Sequence, residues 1–337
     1  MKSVFCICIF FLSICVYSQD FHFSQYNRTG IILNPAITGV FNGWERVSVA
    51  HRNQWLGANT QFMTSAATAE LTLGKGYRNE KSYMGFGFMF LNDVGGDANF
   101  GLRTGGVTVS GVIPIDRLHS LSVGLQTSFG NRVADLTNLT FLSQWNGSVF
   151  DPSILTGEEG GLASFSYLDA GVGIHYRYGK MQTKVIRESD FSMESGFSIA
   201  HINKPRLRYS NITSDRLYMK FQLYTNLFFT FSEMSGLELD LLQVKQSNHY
   251  ETIGGVIFKT RFKDASHVTK QAQDSYFGIG TYAQSSGVII PTITIDWGAF
   301  TLGLSYDISI SKIRKAYTGS AEISLSYRTT KRSLFGR

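Results

Sequence analysis

The chain has 337 residues, with Lys and Arg at 31 against Asp and Glu at 25, a formal charge of +6 with His neutral, 34 Gly, 5 Pro, 3 Cys and 14% aromatics. Gly exceeds its usual ~7% and charged residues, at 17%, fall below the usual ~25%, a balance foreign to disordered chains and ordinary cytosolic enzymes. A mean hydropathy of -0.03, with no near-continuous apolar run of ~20 residues after the first turns of the chain, excludes a polytopic helical membrane protein.

Residues 1–18 read as a signal peptide: Lys2 is the positive start, Val4 to Val16 the apolar stretch, and Tyr17-Ser18 the exit before Gln19-Asp20. Cys6, Cys8 and Cys15 all lie inside it, so the exported chain carries no disulfide and no thiolate metal site. Cleavage removes one Lys and no acid, taking the formal charge from +6 to +5. That dispersed excess forms no basic stripe with interleaved aromatics, and nucleic acid is not an expected partner.

Residues 19–43 form an irregular N-terminal segment with a turn at Asn34-Pro35-Ala36, expected in the periplasm or against the body that follows. From residue 44 onward the chain alternates with period 2. Met84, Phe86, Phe88 and Phe90 stand against Gly85 and Gly87; Leu302, Leu304 and Tyr306 stand against Gly303, Ser305 and Asp307. A helical period fits none of these runs. Fourteen strands are predicted: 45–54, 62–73, 82–92, 100–113, 118–131, 165–178, 192–201, 216–232, 236–246, 249–260, 274–283, 287–296, 299–310 and 319–328.

Several span nine or more residues, the length of a tilted strand crossing a bilayer with its apolar set toward lipid. An even strand number suits a closed bacterial barrel. A secreted β-sandwich also alternates. Aromatics near strand ends (Trp44, Trp55, Tyr83, Trp297, Tyr327) favour the membrane, where they form interfacial girdles. The fold class is therefore all-β, an antiparallel transmembrane β-barrel over residues 44–330. The long polar loop 131–162 follows the fifth strand. If the amino terminus is periplasmic it lies outside, where long loops carry binding. The basic tail 331–337 is either periplasmic overhang or a contact for a periplasmic partner.

Catalytic patterns are sparse. No serine sits in G-x-S-x-G. Four G-x-G pairs lack a third glycine and mark strands with one small face or a turn. The seven histidines form no His-x-x-x-His pair and no H-E-x-x-H, although a metal site assembled across strands stays geometrically open. No catalytic, cofactor-binding or metal residue is assigned. The inner faces carry Glu70, Asp169, His175, Arg177, Lys220, Glu238, Asp240, Glu322 and Arg328. These are either a paired network filling a narrow lumen or the charge rings of a solute channel.

Several words of the sequence are recognisable. Asp20-Phe21-His22-Phe23-Ser24-Gln25-Tyr26, Leu33-Asn34-Pro35-Ala36-Ile37-Thr38-Gly39 and His51-Arg52-Asn53-Gln54-Trp55 resemble the opening of the PorP/SprF family, outer-membrane barrels of the type IX secretion system. Ala134-Asp135-Leu136, Gly196 to Pro205, Leu302 to Ile308 and Glu322 to Arg328 look similar and keep the family's order. His51 departs from the family's frequent Tyr, and Asp93 to Asp97 from its commoner turn. The basic tail also departs from the pattern, following the last strand where that strand would otherwise end the chain.

The resemblance implies a Gram-negative outer-membrane protein with no enzymatic activity and no cofactor. It implies partners among the secretion machinery, including periplasmic ring components, or among secreted substrates such as gliding adhesins, docked by a C-terminal sorting domain. Asn34, Pro35, Arg52, Asn53, Gln54 and Trp55 are candidates either for pinning the N-terminal segment or for docking a partner. The alternative function is a porin-like channel for small solutes.

Overall fold

The computed structural model describes residues 23–56, 62–76, 81–96, 100–133, 139–155, 164–179, 191–207, 216–232, 234–263, 275–310 and 319–329. The expected signal peptide 1–18, the tail 331–337 and parts of the loop 131–162 lie outside the described residues. The strands are β1 (Glu45–Gln54), β2 (Phe62–Leu73), β3 (Tyr83–Gly95), β4 (Phe100–Pro114), β5 (His119–Val133), β6 (Phe165–Tyr178) and β7 (Phe191–Ala200). They continue with β8 (Lys220–Ser232), β9 (Ser235–Gln246), β10 (His249–Lys263), β11 (Ser275–Gln284), β12 (Val288–Trp297), β13 (Phe300–Ser309) and β14 (Ser320–Arg328). Each pairs antiparallel with the next, and β1 closes on β14, giving a barrel of fourteen strands.

Closure follows from the alternation. Val47, Val49, Phe88, Phe90, Leu125 and Ile279 point outward and are exposed, as lipid-facing side chains are, while Ser48, Arg52, Thr68 and Glu70 point inward and are buried. A spanning sheet must leave no backbone group unpaired in hydrocarbon, which only a closed sheet achieves. The seam sets Arg52 opposite Glu322 and Val49 opposite Leu325. At the terminal end, where the barrel's first and last residues meet, Trp44 N–H donates to Thr329 O and Thr329 N–H to Glu45 O, both at 2.9 Å. At the opposite, distal end Leu56 N–H donates to Gly319 O at 3.0 Å.

Of the two places expected for the N-terminal segment, its described part takes the second. It lies against the barrel from within, inside the lumen. From Phe23 it crosses the lumen through a 3-10 turn (Tyr26–Thr29), a single α-turn (Gly30–Leu33) and a second 3-10 turn (Pro35–Ile37), then leaves at the terminal end to enter β1. Ile31, Asn34, Ala36 and Thr38 are fully buried. A bore of this strand number is wider than its own side chains can fill. The segment fills it, and because its partners surround it on all sides it shows no periodicity. Tyr83 likewise belongs to this core and not to an interfacial girdle, since it is buried and its hydroxyl donates to Gly39 O at 3.2 Å.

The small inner faces of β5 and β6 are the seat of this plug. A Cβ on Gly173 would collide with Asn34 Oδ1, and one on Gly124 with the Pro35 carbonyl. Only glycine lets the strand backbones approach the Asn34-Pro35 turn this closely. Gly173→Val is expected to unseat the turn at a cost of about 1–3 kcal/mol, read as a lower urea midpoint and faster chymotryptic cleavage within residues 23–43. Gly105→Ala, where an added Cβ meets nothing within 4 Å, should change neither.

Candidate functional site

The plug is held by four groups of contacts. The first lies on the seam. Arg52 of β1, buried, meets Asp307 of β13 at 2.6 Å and Glu322 of β14 at 3.6 Å. Both Glu322 oxygens also accept backbone N–H groups of the plug, from Ser24 at 2.7 Å and Gln25 at 2.9 Å. Ser24 Oγ accepts from Arg52 and donates to Asp307 at 2.9 Å. The Gln25 amide is pinned by Ser305 and Ser324, at 3.0 and 3.1 Å. One cation, two carboxylates and two plug residues thus bridge the three strands at which the barrel closes.

The second group lies across the lumen. Lys259 pairs with Glu238 and stands 3.7 Å from Asp296. Asp240 accepts from Asn226 and, at 2.6 Å, from the Tyr282 hydroxyl. The plug contributes Asn27, within 3.4 Å of Glu238 and 3.5 Å of Asp240, and Arg28, whose charge faces Asp296 and Glu238. Around these ions Tyr26 and Leu33 pack on an apolar wall including Tyr224, Leu242, Ile253, Ile257 and Ile290. Buried charges persist only when paired and hydrogen-bonded, and here the plug supplies part of the pairing.

The third group receives the Asn-Pro turn. Asn34 Oδ1 accepts from Ala36 N–H at 2.9 Å, capping the second 3-10 turn, while its amide donates to Ile174 O at 2.9 Å and toward the Tyr224 hydroxyl at 3.4 Å. That hydroxyl is 2.6 Å from His175 Nδ1. Serines of the wall satisfy the turn's carbonyls: Ser198 Oγ donates to Leu33 O and Ser122 Oγ to Ala36 O, both at 2.7 Å. Thr38 meets Thr108 at 2.8 Å. A helical turn this short leaves its carbonyls unpaired, and inward Ser and Thr answer them one by one.

The fourth group guards the terminal end. Gly39 N–H donates to Glu70 at 3.0 Å, and Glu70 pairs with Arg46 at 2.7 Å, whose guanidinium lies 4.5 Å over the Phe41 ring. Lys75, in the turn after β2, donates to Phe41 O and to Gly43 O. Burial, then the neighbouring guanidiniums of Arg177 and Arg46, push its pKa down to about 7, against the opposing pull of Glu70.

The sequence-derived lumen residues do not form one ring. Glu322 lies in the seam group, Glu238 and Asp240 in the second, His175 in the third and Glu70 in the fourth. Asp169 meets His201 at 2.9 Å, Arg177 meets Glu194 at 3.3 Å, Lys220 lines a distal cavity, and Arg328 stands opposite Arg46 across the seam. Among the motif residues, Asn34, Pro35 and Arg52 are buried, whereas Asn53, Gln54 and Trp55 sit at the distal edge of β1, Trp55 edge-on to Phe62 at 4.9 Å. Asp307, Arg46, Lys259, Asp296, Ser24 and Gln25 were not singled out from sequence. Inward parity was a usable signal for Arg46 and Asp307, but nothing along the chain marks Ser24 as the partner of Asp307 and Arg52.

The family model described as type IX secretion system membrane protein PorP/SprF matches residues 16–327. The chain belongs to the PorP/SprF family. This PorP/SprF barrel is thus an outer-membrane component of the type IX secretion system, by family and by its closed antiparallel fold. Among solved structures it resembles the toluene transporter TbuX of Ralstonia pickettii (TM-score 0.50, 10% identity, covering 90% of this chain and 94% of that one). It also resembles the toluene transporter TodX of Pseudomonas putida (TM-score 0.50, 9% identity, covering 90% and 94%). These likenesses are of fold alone. Among curated protein sequences nothing matches.

Two outcomes are expected of this PorP/SprF barrel. Arg52→Ala, which strands two buried carboxylates, should cost about 3–5 kcal/mol in urea unfolding. Adding Asp307→Asn and Glu322→Gln should recover part of that loss. For Lys75 the folded pKa lies below the unfolded one, so between about pH 7 and the ordinary Lys range the unfolded chain binds more protons and stability rises with pH. Lys75→Met should flatten that rise in urea midpoints measured from pH 6 to 10.

Proposed function

We propose that this protein is a docking barrel of the secretion system. In this reading it helps export or anchor secreted proteins, gliding adhesins among them, by binding their C-terminal sorting domain or the machinery, including periplasmic ring components. The observation that carries the reading is the plug: a lumen crossed by the chain's own buried segment, tied to strands on every side, suits a scaffold better than a conduit. Asn34, Pro35 and Arg52 then act by holding the plug. The docking surface is assigned to the distal end, taken as the extracellular one, with Asn53, Gln54, Trp55 and the loop 131–162.

A second observation supports a distal surface. Within that loop Gln144 accepts from Phe141 N–H at 3.0 Å, Asn146 Oδ1 accepts from Val149 N–H at 3.0 Å, and Asp151 N–H donates to Gln144 O at 2.9 Å. This frame displays Leu142, Trp145, Val149, Phe150 and Leu155 to solvent, with Leu142 91% exposed. Clustered apolar side chains on a preorganised loop are characteristic of partner surfaces.

The porin-like channel stays as the second reading, since the two neighbours above are named as transporters of toluene. Affinity purification of the tagged barrel from gently solubilised outer membranes, with mass spectrometry of what accompanies it, separates them. A secreted protein bearing a sorting domain, or periplasmic ring proteins, is the expected result. A barrel that emerges alone and conducts in planar bilayers would favour the channel. Sequencing the amino terminus of the same preparation checks cleavage before Gln19.

A further inference from the structure

On the distal side of the plug lies a cavity of about 110 Å³ that the docking role does not use. Its floor is the plug itself, through Phe23, Ile32 and Leu33, and its walls include Leu91, Leu242 and Ile253. The rim residues Lys220 and His249 are partly exposed, so access is from the distal side, while the Asn34 turn and its hydrogen bonds close the other. Two polar atoms in this apolar setting are unsatisfied among the described residues. Asp169 uses Oδ2 on His201 but its Oδ1 has no partner; the other such atom, the Tyr26 hydroxyl, lies toward Asp240 and Glu238. The two residues are 6% and 5% exposed. A buried polar atom left without a partner is costly and asks for an explanation. The lining's formal charge, Asp169 and Glu251 against Lys220 with His201 and His249 neutral, is one negative.

We propose that this cavity is a binding site for a compact apolar group, a single ring or a branched aliphatic, that carries a hydrogen-bond-donating head. The apolar body rests on Phe23 and Leu33, and the head donates to Asp169 Oδ1. At about 110 Å³, against roughly 150 Å³ for an apolar cavity that takes benzene, the enclosed space holds part of one such group, the rest projecting through the distal rim, and excludes a folded domain. The same chemistry comes from a free amine or from an apolar residue presented with its backbone N–H. Because the plug forms the floor, the ligand touches the segment that seals the lumen. The site goes beyond the docking reading and is independent of it.

The test is titration of the full barrel in nanodiscs, by saturation-transfer NMR, with phenethylamine, N-acetylphenylalanine amide and the headless propylbenzene. Saturable binding of a headed probe is expected, weakened about tenfold or more by Asp169→Asn, while propylbenzene is indifferent to that change. Leu242→Trp, filling the cavity, should abolish binding of all three. Leu241→Trp, on the lipid face, should not, and heat-modifiable gel mobility verifies that each variant is folded. Preference for the amine or for the amide identifies the source. No saturable binding, or headed-probe binding that ignores both Asp169→Asn and Leu242→Trp, would overturn the proposal and leave water as the cavity's occupant. Should Asp169→Asn not fold, Leu242→Trp and the comparison with propylbenzene decide alone.

Discussion

A fourteen-stranded barrel encloses more space than inward side chains can fill, and the rest of the molecule answers that constraint. The filler is backbone, not side chains, which brings peptide N–H and C=O groups into a water-poor lumen where each must be paired. The inner wall is accordingly built of Ser, Thr, Asn and carboxylates aimed at particular plug atoms: Glu322 at two N–H groups, Ser122 and Ser198 at two carbonyls, Glu70 at Gly39. Where backbones must come closer still, the wall becomes glycine, as at Gly124 and Gly173 beneath the Asn34-Pro35 turn.

The same arrangement ties the plug to barrel closure. Arg52 and Glu322 are direct partners across the β1–β14 seam, and the Ser24 and Gln25 N–H groups each donate to one oxygen of Glu322. The seam is therefore specified twice, by cross-strand charge pairing and by a third element that reads both strands. The opposite wall works differently. There, Tyr26 and Leu33 bury apolar surface against β8 to β12, while Arg28 adds a second cation to a group of three carboxylates and a lysine and Asn27 hydrogen-bonds to two of the carboxylates. Apolar packing supplies burial on one side, and ionic complementarity supplies position on the other.

The words that carry the family resemblance prove to be neighbours in space. Ser24-Gln25, Arg52, Asp307 and Glu322 belong to four such words, and they meet at one point on the seam. Asn34-Pro35 meets strands β5 to β8, and Gly196 to Pro205 contributes Ser198 to the same seat. Of the two roles open to this motif along the chain, pinning and docking, its buried half shows the first, an internal fastening. Its other half, Asn53 to Trp55, is partly buried at the distal edge.

What the sequence determined by itself was the barrel. Alternation is a local property of a strand, so the fourteen strands, most of their boundaries and the inward parity of Glu70, Asp169, Glu238 and Glu322 could be read along the chain. The position of residues 23–43 could not be read in this way, because a plug obeys no local period and its partners stand as far as 299 positions away, as Gln25 does from Ser324. For the same reason Tyr83 looked like an interfacial aromatic and Asp307 like one polar residue among many. Only closure of the sheet brings β1, β13 and β14 around Ser24, and that encounter decides which charges are paired, which glycines are needed and where a cavity is left.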